Sequence, residues 1–324
     1  MTEHHRLPPW LRVKVGKAHQ VASTRDLLAC RGVHTVCQEA RCPNVGECFG
    51  SQTATFMILG DTCTRDCGFC AVKHGIPGAV DPDEPRRVAD AAREMGLDFV
   101  VVTSVTRDDL EDGGAGQFAA TVRALKGQSE GEGESQKEIL RAGRRAQDDS
   151  VGGAAREGMQ VEVLVPDFGG DEALLAVVME TEPTVLNHNV ETIERLHATV
   201  RPQARYERSL GVLAAAKRMA PGRPVKSGFM VGLGEDDDEV RTLLGDLRAA
   251  GCDIVSIGQY LRPTRKHLEV QRYVEPERFD EYAEWARGMG FLYAASGPFV
   301  RSSYQAAEAA RAAIAAMGHT TKAP

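Results

Sequence analysis

The chain has 324 residues, enough for one large α/β domain or two smaller ones, and at 42% hydrophobic it supplies a sizeable core. A formal net charge of -7 gives no global attraction to nucleic acid. The longest apolar runs, TATFMILG and FVVVTSV, are strand-length, far below the roughly 18 apolar residues of a membrane helix, and the opening MTEHHRLPPWLRVKV lacks the apolar core of a secretory signal. A soluble, cytoplasmic protein that engages neither nucleic acid nor membrane is expected.

Residues 1–52 show no sustained helical or strand period and are rich in Cys, Gly, Pro and Arg. They read as an irregular extension held by something other than a core. From residue 53 short β-branched runs alternate with amphipathic stretches. Strands are expected at 53–59, 99–104, 160–165, 183–187, 224–231 and 254–260. The helical stretches between them are RRVADAAREMG, GQFAATVRALKG, GDEALLAVVMETE, ERSLGVLAAAKRMA and DDDEVRTLLGDLRAAG. Repeated strand–helix units imply parallel pairing with right-handed crossovers. Six units are too few for a closed eight-stranded barrel, so an open partial barrel and a doubly wound sheet both fit.

Residues 127–159 break the rhythm. They are polar and rich in Gly, Ser and Glu at their ends, with a short surface helix conceivable at 137–146. This insertion is expected to contribute little to the core, and its composition is that of disordered segments. The tail QAAEAARAAIAAMG is Ala-rich and is expected as a terminal helix packed lightly on the rest. The division expected is therefore an extension at 1–52, a strand–helix body at 53–300 and a C-terminal segment at 301–324.

In a barrel of parallel strands the chemistry lies at the strand C-termini. The segments after the expected strands are a cysteine loop, then SVTRDDLEDGG, PDFGG, NHNVET, GLGEDDD and LRPT. In GLGEDDDE the acids would repel phosphate, which argues against a dinucleotide loop and leaves its glycines to a tight turn or a close approach to a ligand. The cysteine loop, GDTCTRDCGFCAVKHG, spaces Cys63, Cys67 and Cys70 as C-x3-C-x2-C. A zinc site wants four ligands, and His74 could supply the fourth. A ferredoxin run has a different spacing. A 4Fe-4S cluster with three thiolates leaves one iron open, the mark of a catalytic rather than a structural site. A second triplet, VCQEARCPNVGECFG, spaces Cys37, Cys42 and Cys48 as C-x4-C-x5-C and suggests a second cluster, a structural zinc site being the alternative. Cys30 and Cys252 stand apart and read as inert.

C-x3-C-x2-C with Phe69 before its last cysteine, on the loop after the first strand, resembles the radical S-adenosylmethionine superfamily. The resemblance implies a partial (β/α)6 barrel of the radical SAM type. It also implies that S-adenosylmethionine (SAM) fills the open iron on Cys63, Cys67 and Cys70 and is cleaved reductively to methionine and a 5′-deoxyadenosyl radical. The second triplet, followed by TSVTRDDLEDGG, EVLVPDFGG, NHNVET, KSGFMVGLGE, IGQYLRPT and GPFVRSSY, narrows the likeness to the lipoyl synthase family over about 30–126 and 160–305.

That likeness implies a second, auxiliary 4Fe-4S cluster on Cys37, Cys42 and Cys48 with Ser303 as fourth ligand, Ser302 being the neighbouring alternative. The implied reaction inserts two sulfur atoms, supplied by the auxiliary cluster, at C6 and C8 of a protein-bound octanoyl-lysine. A hard oxygen ligand suits soft iron–sulfide poorly, which marks the iron most able to leave. Implied partners are an octanoylated lipoyl-carrier protein or domain, reduced flavodoxin or ferredoxin, and an iron–sulfur cluster carrier. Two features depart from the family pattern: the long 127–159 insertion, and QAA after Tyr304 where a histidine commonly follows.

Candidate SAM contacts are Phe69, Ser104 and Asp108, and Asn187, Asn189 and Glu191 after the fourth strand. For each polar residue a capping or turn role is the alternative, and Glu191 is placed to cap a helix. Arg301 is a candidate to contact substrate or to hold the serine loop, with a surface ion pair as the alternative.

Overall fold

The computed structural model describes residues 7–12, 17–51, 53–128 and 158–320. The expected polar insertion at 127–159 therefore lies, except at its ends, outside the described residues. The N-terminal part holds α1 (Ala18–Cys30), β1 (His34–Thr35), α2 (Val36–Glu39) and α3 (Val45–Gly50). The body runs through β2 (Thr55–Ile58), β3 (Thr62–Cys63), β4 (Lys73–His74), α4 (Glu84–Glu94), β5 (Phe99–Ser104), α5 (Ala115–Leu125) and β6 (Gln160–Leu164). It continues with α6 (Glu172–Met179), β7 (Val185–Asn187), α7 (Glu194–Val200), α8 (Tyr206–Met219), β8 (Val225–Val231), α9 (Asp237–Ala249) and β9 (Ile254–Gln259). The chain closes with α10 (Pro276–Gly288), β10 (Tyr293–Gly297) and α11 (Ala306–Thr320).

One eight-stranded sheet carries the fold, in the order β1-β2-β5-β6-β7-β8-β9-β10. Every pairing from β2 to β10 is parallel, and only β1 runs antiparallel, on the edge of β2. The expected six strand–helix units are present, and β10 adds a seventh parallel strand that its small residues, YAASG, concealed. The strands are apolar because helices cover the sheet: Val100, Val102, Val161, Val163, Val231, Val255 and Ile257 are all fully buried. Helix α9 starts on a capping box, Asp236 accepting from Glu239 N–H while the Glu239 carboxylate accepts from Asp236 N–H.

Two expectations need correction. The extension is not irregular, since α1 runs for 13 residues. Only Thr24 and Leu28 of α1 are buried, too few to leave an apolar period in the sequence. The Thr24 hydroxyl donates to Phe49 O at 3.0 Å, fastening α1 to α3. The tail helix α11 is also more than a light covering. Ala309, Ala310 and Ala313 are buried against Val185 and Ile254, with Phe99 and Tyr293 alongside. These are the first residues of β7, β9, β5 and β10, so α11 closes the bottom of the sheet and leaves its C-terminal end free for chemistry.

At that C-terminal end the segments beyond the two edge strands touch. Asn44, the N-cap of α3, donates through Nδ2 to Phe299 O at 2.7 Å. The segment after β10 then crosses β9 so closely that a Cβ on Gly258 would stand 2.1 Å from Val300 O. Gly258→Ala is therefore expected to lift residues 298–304 off the sheet. Hydrogen exchange should show faster exchange of the Val300 and Tyr304 amides with the β5 and β6 amides unchanged.

Candidate active site

A cavity of about 510 Å³ opens at the C-terminal ends of the strands. Its wall includes Cys42, Cys63, Cys67 and Cys70, and also Arg301, Ser302 and Ser303 from the far end of the chain. Both cysteine triplets thus contribute to one space, together with the serine pair.

The cysteine loop is built by short-range geometry and then pinned by charge. Leu59 and Gly60 leave β2 with positive φ, and both of their N–H groups donate to the Glu84 carboxylate, at 2.8 and 3.3 Å. Strands β3 and β4 pair in parallel, Cys63 opposite His74. Cys63 Sγ accepts N–H from Thr106 at 3.3 Å and from Arg65 at 3.4 Å. Such bonds lower the basicity of a thiolate and tune a cluster held by it. Cys70 O meets His267 Nε2 at 2.9 Å, and Gly68 O accepts from Leu268 N–H at 3.0 Å. His74 itself is exposed and outside the cavity wall.

Arg65 is the charge that holds this loop. Its guanidinium donates to both Asp108 oxygens, at 2.8 and 2.7 Å, and to Asp167 Oδ1 at 2.7 Å. Burial alone would raise the Asp167 carboxyl. The hydrogen bond and charge of Arg65, helped by His188 and Gly169 N–H, outweigh it and hold the pKa at about 2. Burial likewise works against the Arg65 charge, but its two carboxylate partners raise its pKa overall.

Burial governs the thiols. It pushes Cys37 up to about 11 and Cys70 up to about 12. Cys48 also rises to about 12, from burial first and then from neighbouring Cys37 and Cys42. Burial raises Cys67 too, against the pull of Arg201. Cys37, Cys48, Cys67 and Cys70 are thus disfavoured as thiolates unless a metal binds them. Among the described residues no three His, Cys, Asp or Glu side chains close on a point where one metal ion would sit. An iron–sulfur cluster takes one thiolate per iron rather than three on one ion; Cys63, Cys67 and Cys70 share the cavity wall with Cys42. Cys30 is exposed and Cys252 buried, both apart from the site.

The cavity also asks for a polar ligand. Ser104 Oγ, His188 Nε2 and Arg201 Nε are buried atoms without a hydrogen-bond partner among the described residues, and all three residues line it. Orphaned polar atoms at this density mark a site that a ligand completes. Phe69, Asn189 and Glu191 share the wall. Glu191 sits in the left-handed region, φ 71, held by its N–H to Gly228 O at 3.0 Å and by Met230 N–H to its own carbonyl at 2.9 Å. It caps no helix, contrary to expectation: α7 begins after Ile193, and Glu191 Oε1 accepts from Asn189 Nδ2 at 3.0 Å. Burial raises its pKa, opposed by Arg201, Asn189 and Arg301. His188 is kept neutral, its pKa lowered to about 4 by burial and by nearby Arg201.

Two expected contacts lie elsewhere. Asp108 is outside the wall as the partner of Arg65. Asn187 is fully buried beneath it, its Nδ2 donating to Glu162 Oε1 and to Ser302 Oγ, both at 2.8 Å. Ser302 Oγ in turn donates to Asn189 Oδ1 at 2.9 Å. Glu162 is paired with Lys226 Nζ at 3.0 Å, both buried. A continuous chain of polar contacts thus runs from Lys226 through Glu162, Asn187, Ser302 and Asn189 to Glu191. Ser303 faces the cavity and makes no hydrogen bond among the described residues. Arg301 lines the wall and donates to Val300 O at 2.6 Å; burial lowers its pKa, with Cys42 and Glu191 pulling it back. Sequence reasoning missed Arg65, Asp167, His188, Arg201 and the Glu162–Lys226 pair. Arg65, Asp167 and His188 lay inside loops already marked as facing the site, and Glu162 and Lys226 are charges that open the quoted apolar runs EVLVPDFGG and KSGFMVGLGE, whereas Arg201 left no local signal.

Among proteins of known family, the Radical SAM superfamily pattern matches residues 57–247. A curated lipoyl synthase of Nitratidesulfovibrio vulgaris is 50% identical over 304 residues, 94% of this chain and 92% of that protein. The lipoyl synthase of Symbiobacterium thermophilum is 49% identical over 96% of this chain and 88% of its own length. That of Rubrobacter xylanophilus is 47% identical over 97% and 91%. Among solved structures, HydG, a maturase of the FeFe-hydrogenase, aligns with a TM-score of 0.53 at 13% identity, over 93% of this chain and 61% of HydG. This last likeness is one of fold alone.

Asp167→Asn is expected to lower stability at pH 7 by about 1–3 kcal/mol, the worth of a charged hydrogen bond to Arg65. A carboxyl depressed to about 2 stabilises the fold above its unfolded pKa near 3.9, and that stability is lost as pH falls through about 2. Urea titrations of the cluster-free protein at pH 7, 4 and 2.5 should show a difference between wild type and variant that shrinks with acidification.

Proposed function

The chain belongs to the lipoyl synthase family of the radical SAM superfamily, and from that premise we propose that its cavity inserts two sulfur atoms at C6 and C8 of an octanoyl-lysine on a carrier protein. It is a radical SAM enzyme, and its cofactors are SAM and 4Fe-4S chemistry. In the proposal there are two clusters. Cys63, Cys67 and Cys70 hold one; Cys37, Cys42, Cys48 and Ser303 hold the other. When bound, the first supplies the electron that splits SAM and the second supplies the sulfur.

The observation that carries this reading is the sharing of one cavity by Cys42, Ser303 and the Cys63–Cys67–Cys70 loop. Sulfur must meet a carbon radical at short range, so both triplets must border the space that holds the substrate. The choice of Ser303 rests on commitment of its neighbour. The Ser302 hydroxyl is already taken up by Asn187 and Asn189, whereas Ser303 is free to ligate.

The remaining wall divides by chemistry. Ser104, Asn189, Glu191 and Arg201 offer hydrogen bonds and charge to the amino acid and ribose parts of SAM. Met57, Leu164, Val165, Phe229, Met230 and Val300 form an apolar surface for an eight-carbon chain. That surface excludes water, which protects a carbon radical from side reactions. Reduced flavodoxin or ferredoxin would supply electrons and a cluster carrier would restore the auxiliary cluster, in a cytoplasmic setting. Among the described residues no helix is long and apolar enough to cross a membrane. The division of labour proposed along the chain is auxiliary ligands at 1–52, the barrel at 53–300, and the serine segment and tail at 301–324.

An anaerobic single-turnover assay tests the assignment. Reconstituted, reduced protein is mixed with SAM and an octanoyl-lysine peptide, and products are read by mass spectrometry. The wild type should add two sulfurs and form 5′-deoxyadenosine. Ser303→Ala should keep 5′-deoxyadenosine formation within about twofold and lose at least about tenfold in sulfur insertion. Undiminished lipoyl yield would remove Ser303 from its role.

A further inference from the structure

The cavity mouth carries a charge that the reaction itself does not use. The chain as a whole is acidic, at -7. Yet the charged residues of the cavity wall are Arg41, Arg201, Arg262 and Arg301 against Glu191 alone. Arg201 and Arg301 act on Glu191 and on the thiols. Arg41 and Arg262 are left to the mouth.

Beyond Arg262 the loop 261–268 is braced from within. Arg262 donates through Nε to His267 O at 2.8 Å and through Nη2 to Arg265 O at 2.6 Å. Thr264 Oγ1 and His267 Nδ1 are 2.8 Å apart, and Lys266 N–H donates to Thr264 Oγ1 at 3.3 Å. The whole loop is bolted to the cysteine loop through His267 and Leu268, at 2.9 Å to Cys70 O and 3.0 Å to Gly68 O. This bracing turns Arg265 and Lys266 outward. Both are exposed, and neither side chain has an ion-pair or hydrogen-bond partner among the described residues. Arg41, also exposed and without an ion-pair or hydrogen-bond partner for its side chain among the described residues, lines the cavity with a φ of 52, a left-handed conformation that a non-glycine residue adopts at a cost. Nearby acids are already engaged, Glu269 with Arg262 at 3.2 Å and Asp61 with Lys73 at 3.7 Å.

Unpaired cations on a rigid loop of an acidic protein call for an anionic counterpart. The octanoyl-lysine arm is neutral once acylated, and SAM carries its own sulfonium charge. The counterpart therefore lies on the protein that bears the arm. Resting on the lipoyl synthase reading above, we propose that Arg265 and Lys266, on the loop whose first residues, Leu261, Arg262 and Pro263, line the cavity, form the docking surface for the carrier together with Arg41 of the cavity wall, and that the carrier is acidic around its octanoylated lysine. Such a surface speeds and orients encounter more than it adds affinity, and it weakens with salt. Its attachment to the cysteine loop means that a carrier seated there delivers its arm into the cavity.

The test compares two substrates on the reconstituted full chain, with dithionite as reductant so that no electron-donor protein takes part. One substrate is an octanoylated lipoyl domain; the other is an octanoyl-lysine tripeptide with uncharged flanks. The pair Arg265→Glu with Lys266→Glu should raise KM for the domain about tenfold or more. The tripeptide KM and 5′-deoxyadenosine formation should change less than about twofold, which also shows that the variant is folded. The neutral pair Arg265→Gln with Lys266→Gln should fall between. For the wild type, added salt should raise KM for the domain and leave that for the tripeptide unchanged. An unchanged KM for the domain, or an equal loss on both substrates, overturns the proposal. So does an effect that is absent with dithionite and appears only when the assay is repeated with reduced flavodoxin as reductant, which would assign the surface to the electron donor. Failure of the wild type to add sulfur to either substrate would strike the functional reading instead.

Discussion

One hydroxyl joins the two ends of this site. Ser302 Oγ accepts from Asn187 and donates to Asn189, across 115 and 113 positions of sequence. Through Asn187 the contact reaches the buried Glu162–Lys226 pair in the middle of the sheet, and through Asn189 it reaches Glu191 in the cavity wall. The C-terminal segment is thereby referred to β6, β7 and β8, strands of the same sheet whose β2 leads into the cysteine loop. Each bond contributes only about 1 kcal/mol net. Their value lies in the cost of leaving any of them unmade inside a low-dielectric core. A buried ion pair is weak evidence for stability, but loss of one partner strands the other charge. Such a network admits one arrangement of the serine segment and penalises the rest.

The second constraint is charge around thiols. Burial drives Cys37, Cys48 and Cys70 well above the usual thiol range. Buried thiols are inert until metal deprotonates them. The surroundings are arranged for the deprotonated state: Arg201 beside Cys67, Arg301 beside Cys42, and backbone N–H groups on Cys63. The same two arginines act on Glu191, so the one acid of the wall is set against two guanidinium cations before any ligand arrives. The arrangement is suited to a co-substrate that brings both a carboxylate and positive charge.

Sheet topology explains why these groups can meet. The loops after β2, β5, β6, β7, β8, β9 and β10 leave the C-terminal ends of parallel strands, the Cys37–Cys48 segment enters from antiparallel β1, and α11 closes the opposite end. Two glycines mark where backbones must approach most closely. Gly258 lets the Val300 carbonyl lie against β9, and Gly232, with φ 97, makes room for Arg272 O and the Gln259 amide. At Gly232 the reason expected from sequence, a tight turn, holds, with its N–H closed onto Glu235 Oε1 at 2.6 Å. Acids in that loop thus serve the backbone rather than a phosphate.

The sequence by itself determined the ligand spacing, the alternation of strand and helix, and the end of the sheet where loops would gather. These are local properties: C-x3-C-x2-C is a covalent distance, and a buried parallel strand must be an apolar run. It did not disclose α1, whose face buries little, or β10, whose residues are small, or the placement of α11 under the strands. It named Asp108 and Asn187 as candidate SAM contacts but could not tell that one faces Arg65 and the other lies beneath the wall. It gave Ser303 over the adjacent Ser302 only through a family resemblance, and could not tell that the Ser302 hydroxyl is engaged by Asn187 and Asn189. Tertiary structure drew those distinctions, because a side chain's role is set by which groups from distant strands satisfy its hydrogen bonds. The register of β6, β7 and β8 brings Glu162, Asn187 and Lys226 together, and only then does Ser302 have partners while Ser303 faces the cavity.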